Sequence, residues 1–491
     1  MDKMNEAPDN MPDIKTENIP DNIPETTPVN KTENTPDNMP EAAVVADEEE
    51  SFHSVTLDTD KCQGCTHCIR HCPTLAIRVR GGKAFILSDR CIDCGECIRV
   101  CPHHAKKAVY DRLGDFAGKF KWLVAIPAPS LYGQFSHVED TDYVLTALKR
   151  IGFDDVFEVS RAAEVVSDFT RKLLERNKDL KKPIINSACP AIIRLIRIRF
   201  PELCANVLPV AAPIEVAGTM AREEAVKKTG LRPEEIGVFF ISPCPAKVTE
   251  VKSPVGSSKK DVDGAIAMSE IYVDMLAELK KIKEPEPLSR SGIMGIGWAS
   301  SGGEAAALLR EKYLAADGID QCIKVLEEIE NDKLSDVEYV ELNACTPGCI
   351  GGALTVENPF VAKARIQTMR KYLPVSQNTY TDDEGMKNII HLSDALKPSH
   401  ALQLSPDVGE AIRMLNAIEE QLAKFPGIDC GACGAPTCRA LAEDIVLNQA
   451  RESDCTFILR EMMAGMFRAF TDISDPLAAP PDEGPTEGSS A

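Results

Sequence analysis

The sequence predicts a modular α/β protein in which cysteine-rich segments flank one larger domain of alternating strands and helices. Three observations lead to this fold class. Two closely spaced cysteine runs lie within residues 62–102, short apolar segments alternate with helical patterns in residues 118–400, and a further cysteine group occupies residues 430–455. Strands that alternate with helices are typical of a sheet whose faces are covered by helices.

The composition indicates a metal-binding protein of a reducing compartment. The 491 residues include 18 cysteines in an acidic chain, a density that favours metal sites over a disulfide framework. The first residues contain no apolar signal segment, and no apolar run approaches the roughly 18 residues that span a bilayer. We therefore expect a cytoplasmic protein without a membrane segment. The net charge of −21 disfavours nucleic acid as a partner.

Residues 1–50 and 475–491 are predicted to be disordered tails. The first tail contains 14 acidic residues, 3 lysines and 7 prolines, and the pattern that begins at Lys15 recurs at Lys31. The second is rich in Pro, Gly, Asp and Glu. Neither composition can form a packed core. The repeat is either a docking segment or an extension without a specific role.

Residues 53–110 are predicted to hold two [4Fe–4S] clusters. Their two Cys-x2-Cys-x2-Cys-x3-Cys-Pro runs have the spacing of bacterial two-cluster ferredoxins, in which the fourth cysteine of each run binds the other cluster. The expected ligands are Cys62, Cys65, Cys68 and Cys101 for cluster 1, and Cys72, Cys91, Cys94 and Cys97 for cluster 2. A pair of zinc knuckles, the alternative, requires wider gaps between cysteine pairs.

Residues 118–400 are predicted to form the α/β domain. Strands are expected at residues 121–127, 183–185, 237–241 and 337–342, and a helix over residues 190–200. The last three strands lead into four cysteines: Cys189, Cys244, Cys345 and Cys349. Because α/β folds collect their sites at the carboxyl ends of strands, these thiols are expected to meet around one iron–sulfur cubane. The alternative is buried core thiols, the interpretation preferred for Cys204 and Cys322.

Residues 405–470 are predicted to form a small C-terminal cluster domain. Three cysteines open a helix over residues 439–449 and a fourth follows it, in the pattern Cys430-x2-Cys433-x4-Cys438-x16-Cys455. One more [4Fe–4S] cluster is the preferred interpretation, and zinc is the alternative.

At the cysteine loops of the α/β domain the chain resembles the [FeFe]-hydrogenase large-subunit family. The resemblance covers residues 53–375 and rests on three loops and on a glycine-rich segment that begins at Trp298. The loops read Asn186-Ser187-Ala188-Cys189-Pro190, Ser242-Pro243-Cys244-Pro245-Ala246-Lys247 and Asn343-Ala344-Cys345-Thr346-Pro347-Gly348-Cys349-Ile350-Gly351-Gly352.

The resemblance implies an H-cluster, which is a [4Fe–4S] cubane joined to a two-iron subcluster with CO and cyanide ligands. The cubane would be held by Cys189, Cys244, Cys345 and Cys349, and Cys349 would bridge to the two-iron subcluster. Lys247 and the turn Ala128-Pro129-Ser130 would donate hydrogen bonds to cyanide. The implied reaction is the reversible conversion of H2 into protons and electrons.

The chain also departs from the family pattern. Ala188 stands where the family has a cysteine that relays protons, and a methyl group cannot transfer a proton. Ser242 and Asn343 stand where typical members have methionines. These changes, together with the C-terminal cysteines, are similar to the sensory branch of the family. They imply a slow hydrogenase that senses H2 and passes electrons along its [4Fe–4S] clusters.

Two alternatives stay open at this point. One is a catalytic hydrogenase linked to ferredoxin, whose protons would travel through water or Asp168. The other is a non-enzymatic protein of electron transfer or iron–sulfur assembly that never receives the two-iron unit. No kinase or phosphatase module is recognisable in the sequence, so a redox or signalling partner would be a separate protein.

Overall fold

The computed structural model describes residues 52–177, 179–256, 261–381, 384–392 and 394–473. The predicted tails at residues 1–50 and 475–491 lie outside these ranges. The described residues all belong to one compact unit, so the cysteine-rich segments pack directly against the central α/β domain. Among the described residues, no helix combines the length and apolar character needed to cross a membrane.

The first cysteine-rich segment contains two small antiparallel sheets and two short helices. Its elements are β1 (Val55–Leu57), α1 (His67–Arg70), β2 (Ile77–Arg80), β3 (Lys83–Ile86), α2 (Glu96–Arg99) and β4 (Lys106–Ala108). Strand β1 pairs with β4, and β2 pairs with β3. Gly81 and Gly82, with φ of 56° and 75°, make the tight turn between β2 and β3, which favours glycine.

The central domain alternates strands and helices as predicted. Its elements are β5 (Trp122–Pro127), α3 (Thr141–Arg150), β6 (Asp155–Val156), α4 (Val159–Arg176), β7 (Ile184–Ile185), α5 (Pro190–Arg199), α6 (Pro213–Thr229), β8 (Ile236–Ser242), α7 (Pro245–Lys252), β9 (Gly264–Ala267), α8 (Met268–Leu279), α9 (Ile293–Gly297), α10 (Gly303–Ala307), β10 (Tyr313–Asp317), α11 (Ile319–Glu330), β11 (Tyr339–Asn343), α12 (Pro359–Arg370) and α13 (Glu384–Ile390). The predicted α/β class is confirmed.

The strands of this domain form two separate parallel sheets. One has the order β6-β5-β8-β9 and the other the order β10-β11-β7. Every residue of β8 is buried, as expected for a central parallel strand covered on both faces. Strands β6, β9 and β10 were missing from the sequence prediction. The first has only two residues, and the other two are rich in alanine, so neither carries a strong β signal.

Each sheet has its own apolar core. Aromatic rings of Phe116, Phe153 and Phe239 pack together on the four-stranded sheet. The core of the three-stranded sheet includes Ile192 of α5 and Leu326 of α11, which cover it. Ile184 of β7 and Tyr339 of β11 belong to the core of the four-stranded sheet, so the three-stranded sheet also packs against that core.

The C-terminal segment is helical. It contains α14 (Val408–Leu422), α15 (Cys438–Val446) and α16 (Thr456–Ile473). Helix α15 is the helix predicted over residues 439–449, and the Thr437 side chain caps it by accepting a hydrogen bond from the Ala440 N–H. Cys455 is buried with Leu441 and Phe425 in a small core of this segment.

Candidate metal centre

Two of the four cysteines in the central domain stand at the starts of helices. Cys189 directly precedes α5 and Cys244 directly precedes α7, and each is followed by a proline at the first helical position. The free backbone N–H groups of a helix start favour negative charge. Both loops therefore suit thiolates that bind an anionic cluster.

The other two cysteines share the loop after β11. Cys345 follows the strand, and Cys349 opens a short 3-10 helix. Gly348 has φ of 103°, and a Cβ atom there would lie 2.4 Å from the Ser301 nitrogen. The Ser301 N–H also donates to the Pro347 carbonyl at 3.0 Å. The glycine-rich segment after Trp298 thus supports the cysteine loop by close backbone contact.

The four thiols lie close enough to influence one another electrostatically. The pKa of Cys349 is raised to about 12, mainly by burial; Lys247 opposes the shift, and Cys189 and Cys345 add to it. Burial also raises the pKa of Cys244, again with contributions from Cys345 and Cys349. Iron binding at these thiols must therefore displace protons.

Lys247 provides a partly buried cation beside these thiols. Its ammonium donates to the Ala188 carbonyl at 2.9 Å. Burial opposes the charge, but Cys349, Cys244 and Cys189 outweigh it and raise the pKa of Lys247 above its usual value. An ammonium has three donors, so the bond to Ala188 leaves capacity for an anionic ligand.

Ser130 supplies a second donor without a partner. It is fully buried in the 3-10 helix Pro129–Gln134, which follows Ala128 and lies against the 3-10 helix that Cys349 opens. Its hydroxyl has no hydrogen-bond partner among the described residues. Leaving a buried hydroxyl unpaired costs about 1–3 kcal/mol, which a bound acceptor such as cyanide would recover. The residues around Cys349 therefore fit the two-iron group.

Ser242 and Asn343, which stand where the family has methionines, form hydrogen bonds within their own loops. The Ser242 hydroxyl donates to the Cys244 carbonyl at 2.9 Å. The Asn343 amide donates to the Glu341 carboxylate at 2.8 Å. Both side chains therefore stabilise the cysteine loops through polar contacts, which a methionine could not make.

A buried pair of carboxyl groups was missed by sequence reasoning. Glu304 accepts hydrogen bonds from the Tyr339 hydroxyl at 2.7 Å and from the Asn186 amide at 2.9 Å. Burial, followed by the neighbouring Glu341, raises the pKa of Glu304 to about 8. The only sequence signal was a glutamate within the glycine-rich segment after Trp298, where it could equally have been a surface residue.

The acidic residues of α4 are occupied by structural contacts. Asp168 accepts from Arg171 and Lys172, both at 2.9 Å, and from the Tyr380 N–H at 3.0 Å. Burial alone would raise the pKa of Asp168, but these bonds lower it below its usual value. An ionised carboxylate held by two cations is a poor proton relay. Glu164 likewise accepts from the Gly292 N–H at 2.6 Å.

The first cysteine-rich segment brings its cysteines together in two groups. One cavity is lined by Cys62, Cys65, Cys68 and Cys101, and a second by Cys72, Cys91, Cys94 and Cys97. These are the two ligand sets that the spacing predicts. Among the described residues, the potential ligand atoms of His53, Cys91 and Asp93 also lie within 4.8 Å of one another. His53 Nδ1 and Asp93 Oδ2 are 2.7 Å apart, and this ion pair supports the Cys91 loop.

Cluster 2 lies beside the central cysteines. Arg99, in the helix that carries Cys97, donates to the Cys345 sulfur at 3.0 Å and to the Gly351 carbonyl at 2.7 Å. Gly95 has φ of 78°, and a Cβ atom there would lie 2.8 Å from the Ala353 Cβ. The loop of cluster 2 and the loop of Cys345 are therefore in direct contact.

The C-terminal cysteines lie beside cluster 1. Arg70 donates to the Cys430 carbonyl at 2.7 Å, and Arg80 donates to the Cys433 carbonyl at 2.8 Å. Burial raises the pKa of Cys433, and Cys430 and Cys455 add to the shift, so these thiols are neighbours. Cys438 begins α15 in the same group.

A buried ion pair holds this contact together. The Arg78 guanidinium donates to both Asp444 carboxylate oxygens, at 2.7 and 3.0 Å, and the two side chains are only 2% and 4% exposed. Arg80 adds a further bond to Asp444 at 2.8 Å. Arg90 and Glu443 form a second pair at 2.5 Å.

Replacing Asp444 by asparagine is expected to destabilise the C-terminal segment by about 3–5 kcal/mol, because it leaves the buried Arg78 charge without its partner. The measurement is denaturant unfolding of the cluster-loaded protein. Glu419→Gln is the matched control, since its pair with Arg439 is more than half exposed on both sides. Equal stability of the two variants would contradict a structural role for the buried pair.

Three protein families match parts of the chain. The family described as "Iron only hydrogenase large subunit, C-terminal domain" matches residues 121–316, a 4Fe-4S dicluster domain matches residues 54–102, and a family of Fe-S cluster domains matches residues 425–457. Residues 121–316 therefore carry an iron-only hydrogenase large-subunit domain. The dicluster match agrees with the two cysteine groups around clusters 1 and 2, and the third match covers the C-terminal cysteines.

Individual hydrogenases show the same relationship. The chain is 29% identical over 301 residues to the periplasmic [Fe] hydrogenase large subunit of Nitratidesulfovibrio vulgaris. The aligned residues cover 55% of this chain and 70% of that relative. It is 26% identical over 330 residues to iron hydrogenase 1 of Clostridium pasteurianum, covering 60% of this chain and 55% of that one. A solved structure of [FeFe]-hydrogenase HydA1 from Chlamydomonas reinhardtii aligns with a TM-score of 0.44 and 14% identity, over 56% and 94% of the two chains.

Proposed function

We propose that this protein is a slow [FeFe]-hydrogenase that senses H2 in the cytoplasm and reports it to a redox or signalling partner. The observation that carries the proposal is the contrast within one site. Four cysteines suited to a cubane and two donors suited to cyanide, the partly buried Lys247 and the buried Ser130, are present, while Ala188 occupies the place of the proton relay.

In this proposal Cys189, Cys244, Cys345 and Cys349 hold the cubane. When bound, the H-cluster supplies the chemistry of H2 binding and cleavage at its two-iron part. Lys247 and Ser130 would orient that part through hydrogen bonds, and the burial of Ser130 would help to exclude water from it.

Slow proton movement follows from the residues around the site. Ala188 cannot accept a proton, and Asp168 is held ionised by Arg171 and Lys172. A positioned acid or base typically accelerates such a step by ~100- to 10,000-fold. Its loss suits a sensor, in which H2 occupancy matters more than turnover.

We further propose that electrons pass along a line of clusters. The contacts support the order cubane, cluster 2, cluster 1 and C-terminal cluster, because Arg99 links the first two loops and Arg70 and Arg80 link the last two sites. The C-terminal cluster would then be the site that exchanges electrons with a partner protein.

These donors favour this function over a role in iron–sulfur assembly without the two-iron unit. A protein that held only the cubane would gain nothing from an unpaired buried hydroxyl at Ser130. A ferredoxin-linked catalytic hydrogenase requires a proton route, and the contacts of Asp168 argue against that residue as part of it.

Infrared spectroscopy of the matured protein tests the proposal. We expect CO and cyanide stretching bands that shift when H2 is added, together with turnover at least ~100-fold below that of a catalytic hydrogenase matured in parallel. Absence of the bands, while the parallel hydrogenase is loaded, would refute both hydrogenase readings. Bands accompanied by fast turnover would refute the sensing role.

A further inference from the structure

Lys106 is a buried lysine at the site of ferredoxin cluster 1. It begins β4 and is 3% exposed. Within the described ranges its ammonium nitrogen has no hydrogen-bond partner. Burial of an isolated charge is strongly unfavourable, so proteins retain such groups where an opposite charge compensates them. The surroundings of Lys106 should therefore contain an anion.

The nearest anions that the site can hold are the clusters themselves. Lys106 lines the same cavity as the four cysteines of cluster 1. The N–H of the preceding residue, Ala105, donates to the Cys101 sulfur at 3.3 Å, which holds the start of β4 beside the cluster 1 cysteines. A [4Fe–4S] cluster bound by four thiolates is an anion, and it gains one more negative charge on reduction.

We propose that Lys106 is a positioning residue whose charge raises the reduction potential of ferredoxin cluster 1. Adding an electron to a cluster is more favourable beside a fixed cation, and the effect is large where protein replaces water. Cluster 1 then accepts electrons more readily. The inference rests on this ferredoxin cluster alone and does not require the two-iron unit.

The neighbouring residue provides a matched control. Lys107 lies on the same strand, but successive side chains of a strand point to opposite faces. Its side chain is 55% exposed, and its ammonium lies 3.6 Å from Asp58. Lys106→Met and Lys107→Met therefore remove the same charge at adjacent positions, one buried and one solvated.

The experiment is a redox titration followed by electron paramagnetic resonance, on the full chain loaded with [4Fe–4S] clusters but not with the two-iron unit. Lys106→Met is expected to lower the midpoint potential of cluster 1 by at least a tenfold change in the one-electron equilibrium, which is about 59 mV. Lys106→Arg should stay near wild type. Lys107→Met should not shift, and high salt should leave the Lys106 effect in place because a buried charge is poorly screened.

Unchanged potentials in Lys106→Met would overturn the proposal, and so would an equal shift in Lys107→Met. A shift of cluster 2 with cluster 1 unchanged would also overturn it. Iron content is measured for every variant. If Lys106→Met does not retain its clusters, Lys106→Gln, which is neutral but polar, replaces it with the same expected direction of shift.

Discussion

Replacing Lys247 by methionine is expected to lower H2 turnover by ~100- to 1000-fold, the usual cost of removing one preorganised donor from a reaction site. Methionine matches the length of lysine but offers neither charge nor N–H groups. The expected infrared result is weakened or shifted cyanide bands. The [4Fe–4S] content should stay at the wild-type level, because Lys247 contacts the Ala188 carbonyl and is not itself a cluster ligand.

Lys252→Met is the matched control for this experiment. Lys252 lies at the end of the same helix, is partly exposed and pairs with Asp111 at 2.6 Å. Removing its charge should leave the cyanide bands and the rate near their wild-type values. Wild-type bands and rate in Lys247→Met would show that the ammonium does not hold the two-iron group.

Restoring a thiol at position 188 is expected to raise turnover at least several-fold. A fully connected acid or base would raise it by ~100-fold or more. Ala188 is half-buried, directly before the ligand Cys189, so a cysteine there needs only one added sulfur atom. The gain should fall short of a full relay because the α4 acids remain engaged. Rates of H2 production and oxidation are measured and normalised to the two-iron content from infrared spectra.

Ser187→Cys places the same thiol one residue away. Its hydroxyl donates to the Val210 carbonyl at 2.6 Å, so this side chain is engaged by another loop. This variant should not accelerate turnover. If Ala188→Cys carries a full complement of the two-iron unit and is no faster than wild type, the missing thiol is not what limits the rate.

Local patterns in the sequence predicted much of the metal chemistry. The short cysteine spacings constrain which thiols can meet, and the structure brings together Cys62, Cys65, Cys68 and Cys101 as that spacing requires. Strand β8 was predictable because it is a continuous apolar run, buried along its whole length. These features depend on residues that lie close together in the chain.

Features that depend on distant residues were not predictable. Arg78 and Asp444 are 366 positions apart, and the local sequence around either residue does not predict that they form a pair. The same holds for Lys106, which looks like one of two adjacent surface lysines until the fold buries it and leaves its neighbour exposed. Glu304 was likewise visible only as a charge within a glycine-rich segment.

The four central cysteines come from both sheets of the α/β domain. Cys244 follows β8 of the four-stranded sheet, while Cys189 and Cys345 follow strands of the three-stranded sheet. A bound cubane would therefore link two sheets that otherwise contact each other through noncovalent packing. Oxidative loss of the iron would abolish function and would also weaken the contact between the two sheets. Proteases would then degrade the damaged copies preferentially. Cofactor occupancy and protein lifetime are linked by the way the ligands are divided between the two sheets.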